Sequence, residues 1–308
     1  MSYSFIKSLG LVISLFVISA TLSFAIPNFL TVSNLINVVR QISINGILAV
    51  GVTFVLLTGG VDLSLGSLVA LTGVVAACAA HPGQFSVVVP VTLGLLAGAA
   101  CGAVNGFVIT KGKVAPFIVT LGMMTVARGL ALVVSGGRPV SDLSSSFTRL
   151  GGDVVGVPIP AIILAVITLL SFLLLRNMRI GRYIYAVGGN ETATRMSGIN
   201  VNAVKLFAYS VCGGLAGLAG VVLAARITTG QPNAGVGYEL DAIAAVVIGG
   251  TSLSGGVGGV GGTILGALLI GVINNGLDFL NVSSYYQAIV KGVIIVGAVW
   301  LDSKQKKA

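Results

Sequence analysis

Apolar residues run along this chain in long blocks, at positions 9–26, 42–57, 65–80, 87–109, 116–134, 158–175, 206–225, 241–248, 258–280 and 285–301, separated by short polar connections. A helix of about 20 apolar residues spans the hydrocarbon core of a bilayer, so blocks of this length predict transmembrane helices. The pattern predicts an all-α, polytopic helical bundle of about ten spans, forming a single transmembrane domain over residues 1–308. The first block follows Lys7 and is longer than a usual signal core, so it is read as a retained first span that Pro27 ends. Residues 28–41, NFLTVSNLINVVRQ, break the apolar pattern. Their Leu35, Val38 and Val39 predict a short helix lying at the membrane interface, ahead of a separate span from 42 to 57.

Glycine-rich breaks punctuate the pattern. Residues 59–66 read GGVDLSLG and set Asp62 between two apolar blocks. A carboxylate at such a place is costly and asks for a reason. Residues 249–256 read GGTSLSGG, so Gly59, Gly60, Leu63, Ser64 and Gly66 recur as Gly249, Gly250, Leu253, Ser254 and Gly256. Asn105-Gly106 with Gly122 recurs as Asn275-Gly276 with Gly292. These echoes predict an internal two-fold repeat with halves near 42–135 and 206–302, each holding a short or broken helix. Gly94, Gly98, Gly102 and Gly106 fall on one helix face and predict a groove for a close-packed neighbour. Arg128, toward the far end of its span, is expected to snorkel to the headgroups.

Composition agrees with a membrane protein: 56% hydrophobic residues, 8% charged and a mean hydropathy of +1.06. The net charge of +9 does not point to nucleic acid, because Lys and Arg lie mostly in short connections. With both termini in the cytoplasm, Lys7, Lys111, Lys113, Arg176, Arg179, Arg182, Arg195, Lys205, Lys304, Lys306 and Lys307 all face inward, as the positive-inside rule requires. The longest charged connection, 176–205, is then cytoplasmic.

Candidate chemistry is sparse. No GxxxxGK[ST] phosphate loop occurs. Cys78, Cys101 and Cys212 sit in apolar blocks without metal-ligand spacing, and His81 lies in the loop HPGQ. Neither a catalytic nor a metal-ligating residue is expected. Asp62, Glu239, Asp241 and Asp278 are expected at element ends, with Asp62 and Asp241 as helix caps. The residues alone indicate a polytopic transporter and leave its energy source open, between an ion gradient acting on a buried acid and a partner acting on the segment RYIYAVGGNETATRMSGI at 182–199. A membrane scaffold or sensor is the reading without transport.

Four stretches are specific: GGVDLSLGSLVALTG at 59–73, GRYIYAVGGNETATRMSGINVN at 181–202, GYELDAIAAVVIGGTSLSGG at 237–256 and NNGLDFLNVSSYYQAIVKG at 274–292. Through them nearly the whole chain resembles the permease subunits of bacterial binding-protein-dependent, ATP-driven sugar importers. The last two, with Gln231-Pro232, lean toward the ribose members. The resemblance implies an inner-membrane location, a homodimeric or paired permease core, a periplasmic sugar-binding protein and a partner ATPase that binds the ATP and Mg. It implies no cofactor on this chain. It also implies that residues 190–199 dock on the ATPase, with Asn190, Glu191, Arg195, Ser197 and Gly198 at the contact. Family members carry Ala-Ala-Arg-Leu, or close to it, where this chain has Ala193-Thr194-Arg195-Met196. Repeat position assigns Gly59, Gly60, Asp62, Ser64, Gly66, Gly249, Gly250, Ser252 and Ser254 to the glycine elements beside the pathway.

Overall fold

The structure, a computed structural model, describes the backbone at residues 3–26 and 28–305 and leaves the side chains of 1–8, 27, 284, 294–295 and 298–308 outside the description. Lys7, Pro27, Lys304, Lys306 and Lys307 fall among the latter. The helices are α1 (Tyr3–Ala25), α2 (Val32–Leu57), α3 (Leu65–Cys78), α4 (Val88–Lys111), α5 (Pro116–Ser135), α6 (Ser145–Thr148), α7 (Ile159–Asn177), α8 (Arg179–Gly189), α9 (Glu191–Met196), α10 (Val201–Ile227), α11 (Tyr238–Ile248), α12 (Val260–Phe279) and α13 (Ser284–Gln305). Two short antiparallel strands, β1 (Asp153–Val154) and β2 (Val157–Pro158), interrupt the connection before α7.

Among the described residues six helices, α2, α4, α5, α7, α10 and α12, are long and apolar enough to cross a membrane. The 14 residues of α3 and the 11 of α11 are shorter than a span. At 1.5 Å per residue they reach only about 21 and 16 Å against a core of about 30 Å. The separate interfacial helix expected over 28–41 does not exist: α2 is continuous from Val32 to Leu57. Thr31 caps it, accepting a hydrogen bond from the Asn34 amide. Two of the polar side chains that interrupt the apolar pattern, Asn34 and Arg40, have partners in the protein. The amide groups of Asn34 and Asn275 exchange two hydrogen bonds of 3.1 and 3.0 Å, and Arg40 pairs with Asp153.

Burial sorts the helices into an inner and an outer set. Helix α2 is largely buried, whereas α5 and α7 are mostly exposed and turn apolar side chains such as Phe117, Leu169 and Leu170 outward. The closest seam joins α4 to α10. Gly98 and Gly102 pack on the backbone of Gly213, Gly217 and Tyr209, and a Cβ at Gly98 would fall on the Gly213 carbonyl. The expected glycine groove is therefore filled by a matching glycine face.

The two ends of the bundle are distinct. At one, Ala80, Asp142 and Val140 meet: Ser144 donates to the Ala80 carbonyl, and Val140 pairs with Gly230. At the other lie the ends of α2 and α4, the start of α10, and α8 with α9. From Gly230, which packs beside Gly73 and Ala77 of α3, the chain runs inward to Gly235, which packs against Gly66. There α3 and α11 begin, N-terminus toward N-terminus, with the Glu239 carboxylate beside Gly66.

Helix order and packing run in parallel in two stretches of the chain. Helices α2, α3, α4 and α5 have 26, 14, 24 and 20 residues, and α10, α11, α12 and α13 have 27, 11, 20 and 22. The neighbours α4–α10, α3–α10, α3–α5 and α3–α4 are matched by α12–α2, α11–α2, α11–α13 and α11–α12.

Candidate functional site

The two glycine-rich breaks share a local shape. Oδ1 of Asp62 accepts hydrogen bonds from the backbone N–H of Ser64 at 2.9 Å and its hydroxyl at 2.6 Å. In the second break Oγ of Ser252 accepts from the backbone N–H of Ser254 at 3.2 Å. Both are side-chain-closed turns of the kind that Asp and Ser form with the backbone two residues on. The sequence echo is thus the repetition of one turn. The turns do not occupy matching places in the helix order, since the first follows α2 and the second follows α11.

They meet in space instead. The Gly256 N–H donates to the Leu57 carbonyl at 3.0 Å, and Gly255 packs on the backbone of Gly59. A positive φ of 76° at Gly59 and of 85° at Gly255 confines both places to glycine. The end of α8 closes the junction: a Cβ at Gly188 would fall on the Leu57 carbonyl and the Gly256 N–H, and Gly256 packs on Gly189. On the same helix the Tyr185 hydroxyl donates to the Gly258 carbonyl at 2.9 Å. Helix α8 buries Gly181, Ile184 and Val187, one face, against the bundle.

The other candidates in the breaks divide between places. Gly249 packs on Gly262 at the start of α12, Gly250 is open, and Gly66 lies at the meeting of α3 with Gly235. Asp62 and Ser64 are fully buried, and the Asn105 side chain donates to the Ser64 hydroxyl at 3.2 Å, tying the first turn to α4. Tyr209 of α10 donates to the Val61 carbonyl at 3.2 Å. Gly188, Gly255, Tyr185 and Tyr209 were not among the candidates. Gly188-Gly189 was visible as a doublet, but the partners of the tyrosines are backbone carbonyls, which leave no mark in sequence.

Directly beyond Gly189 stands α9. Asn190 caps it, accepting from the Ala193 N–H at 2.9 Å, and Gly198, at a φ of 82°, ends it. Glu191 holds Arg195 at 2.9 Å within the helix and Lys205 of α10 at 2.6 Å. The hydrogen bond from Lys205, with Arg195 adding to it, holds the Glu191 carboxyl below its ordinary value of 4.5. Thr194 is buried, while Met196 is 85% exposed and offers an apolar contact that the candidate set lacked. Of the expected contact residues, Asn190 and Gly198 thus shape the helix ends, and Glu191 and Arg195 face solvent.

Three charged groups differ from expectation. Asp62 closes the turn ahead of α3, whose N-cap position is Ser64, and does not cap the helix itself. Arg128 does not snorkel: its guanidinium turns inward and donates to the carbonyls of Pro232 and Ala234 at 2.7 and 2.8 Å, holding the segment that leads to α11. Asp241 is no cap. It lies buried in the first turn of α11, pairs with Lys291 of α13 at 2.9 Å and accepts from the Asn274 amide at 3.3 Å. His81, at the far end, hydrogen-bonds the Asp142 carbonyl. Among the described residues no three His, Cys, Asp or Glu side chains are grouped as a metal would require.

Comparison with known proteins places this geometry in context. Residues 34–299 match the family described as branched-chain amino acid transport system / permease component. The chain is 51% identical to the ribose import permease protein RbsC of Escherichia coli K12, over 97% of this chain and 94% of the relative. It is 48% identical to the ribose import permease protein RbsC of Bacillus subtilis 168 over the same shares. The D-allose transport system permease protein AlsC of E. coli K12 is 40% identical over 89% of this chain and 84% of its own length. No solved structure matches.

Proposed function

The chain belongs to the family of branched-chain amino acid transport system permease components, and on that premise we propose that it is the membrane-spanning subunit of an ATP-driven importer that carries D-ribose into the cell. The observation that carries the mechanism is the junction at Gly188: the end of α8, directly before α9, packs at once on the end of α2 at Leu57 and on the second glycine turn at Gly255 and Gly256. A force applied to the exposed face of α9 reaches the ends of α2 and α11 through backbone contacts that leave no slack. In this reading α9, with Asn190, Glu191, Arg195, Ser197 and Gly198, docks on a partner ATPase, which holds the ATP and Mg. The glycine residues of both turns, with Asp62, Ser64, Ser252 and Ser254, shape the inner end of the pathway. Closure of the ATPases on ATP and delivery of sugar from outside bias one two-state equilibrium from opposite faces.

The end bearing α8 and α9 is the cytoplasmic one in this proposal. Lys111, Lys113, Arg176, Arg179, Arg182 and Arg195 all lie there, and the proposal assigns both termini to the same side. A soluble sugar-binding protein docks at the opposite end, in the periplasm. The parallel helix order and packing support an inverted repeat, α2–α5 against α10–α13, close to the expected halves 42–135 and 206–302. A second copy of the chain completes the core, and the open glycine face of α5, at Gly122 and Gly129, suits its approach. An ion-coupled carrier draws no support from the relatives.

Thr194→Pro tests the assignment of α9, because proline removes the amide that Thr194 donates to the Asn190 carbonyl. In the reconstituted importer, sugar-stimulated ATP hydrolysis is expected to fall to its unstimulated level while the protein stays in the membrane. Unchanged stimulation sinks the assignment.

A further inference from the structure

At the end away from α9, between the first turns of α2, the last turn of α10 and the last turns of α12, lies a cavity of about 660 Å³. Its size falls within the range of small-molecule sites, roughly 300–1,000 Å³. Its lining is polar and largely unspent. Among the described residues no hydrogen bond or ion pair engages the guanidinium of Arg226 or the side-chain amides of Asn37 and Gln41. Arg40, next to Gln41 in sequence, has its own carboxylate in Asp153, and Asp278 lends only Oδ1, to Gln287. The cavity therefore gathers a guanidinium, two amides and a carboxylate oxygen whose hydrogen-bonding capacity the protein does not use, with Phe279 beside them. Below it, the buried Asn274 carries a side-chain oxygen without a partner.

That donor set selects a ligand class. Arg226 and Asp278 carry opposite charges, so the cavity suits neither an anion nor a cation. A neutral polyol fits, because each hydroxyl both donates and accepts, and planar amide and guanidinium groups engage neighbouring hydroxyls in pairs. Phe279 offers an apolar surface to the C–H face of a sugar ring. We propose that this cavity is the first station of the sugar within the permease, where a monosaccharide released at the outer face is held before it passes inward. The inference rests on the proposed function, which makes this end the outer one.

The test uses the complete importer in proteoliposomes with the sugar-binding protein outside and ATP inside. Sugar moved per ATP hydrolysed is compared between wild type and Asn37→Ala, Gln41→Ala and Arg226→Gln. The ratio is expected to fall about tenfold in Gln41→Ala and Arg226→Gln, with stimulation of hydrolysis by the binding protein retained. Parallel loss of stimulation and uptake would make this face a docking surface for the binding protein and overturn the proposal, as would an unchanged ratio. A second readout does not depend on transport: maleimide labelling of Asn37→Cys is expected to slow severalfold in excess ribose, and labelling indifferent to ribose overturns the sugar site. If the wild type moves no ribose while labelling is still slowed, it is the importer reading that fails and the cavity that stands.

Discussion

Individual residues in this bundle are held by contacts that allow sharp substitutions. At Gly188 a methyl group has no room, because the Leu57 carbonyl and the Gly256 N–H occupy its place. Gly188→Ala is therefore expected to push α8 off the turns. ATP hydrolysis by the assembled importer should persist while ribose uptake falls about tenfold or more. Uptake at the wild-type level would show that the junction transmits nothing. The Asp241–Lys291 pair makes a different prediction, since the Asp241 side chain is 4% exposed. Lys291→Met alone leaves a buried carboxylate unpaired and should cost about 3–5 kcal/mol, whereas Lys291→Met with Asp241→Leu should recover most of it. Thermal unfolding in detergent measures both, and equal losses in single and double variants would contradict the pairing. Residue roles were the least legible part of the sequence. Arg128 and Asp241 sit at ordinary places for a snorkelling arginine and a helix cap, and their actual partners, the Pro232 and Ala234 carbonyls and Lys291, lie on elements far along the chain.

At the scale of elements, hydropathy identified most helices, because α3, α4, α5, α7, α10 and α12 are continuous apolar blocks with glycine, proline or charge at their ends. It failed at α2. Its first turns carry Asn34, Asn37, Arg40 and Gln41, which face Asn275, Asp153 and a cavity, so a span lined with polar partners read as a helix lying on the surface. The echo of GGVDLSLG in GGTSLSGG was legible as sequence but not as position, because it encodes one turn used twice at a single junction. The α4–α10 seam was legible from its spacing of four. Gly98→Leu should separate those helices, and a loss of folded protein, read by size-exclusion chromatography, is the expected result. For α9, Glu191 titrates below 4.5 because Lys205 and Arg195 favour its charged form. A depressed carboxyl contributes stability above its unfolded pKa and loses it as the pH falls through the folded value. Amide exchange in α9 should therefore quicken, relative to a Glu191→Gln variant, only as the pH drops below 4.5.

For the whole molecule, the apolar blocks and the composition pointed to a membrane-embedded helical bundle, and family membership supplies what they could not, the class of transporter. In the proposed reading the engine belongs to another subunit, which is why the energy source leaves no mark inside this chain beyond the exposed segment offered as its point of attachment. The two short helices, α3 and α11, meet N-terminus to N-terminus within the bundle, and the Gly188 junction lies at the end where α9 is exposed. On the proposed reading, movement at that end opens or closes a path between them. The central claim is that ATP hydrolysed by a partner drives this movement, and one measurement tests it directly. The chain is reconstituted in liposomes with its ATPase and sugar-binding protein, and labelled ribose uptake is followed with ATP inside, then without ATP, then with ATP after proton and sodium gradients are collapsed. Uptake that requires ATP and the binding protein and survives loss of the gradients is the predicted result; uptake that follows the gradients and ignores ATP would contradict it.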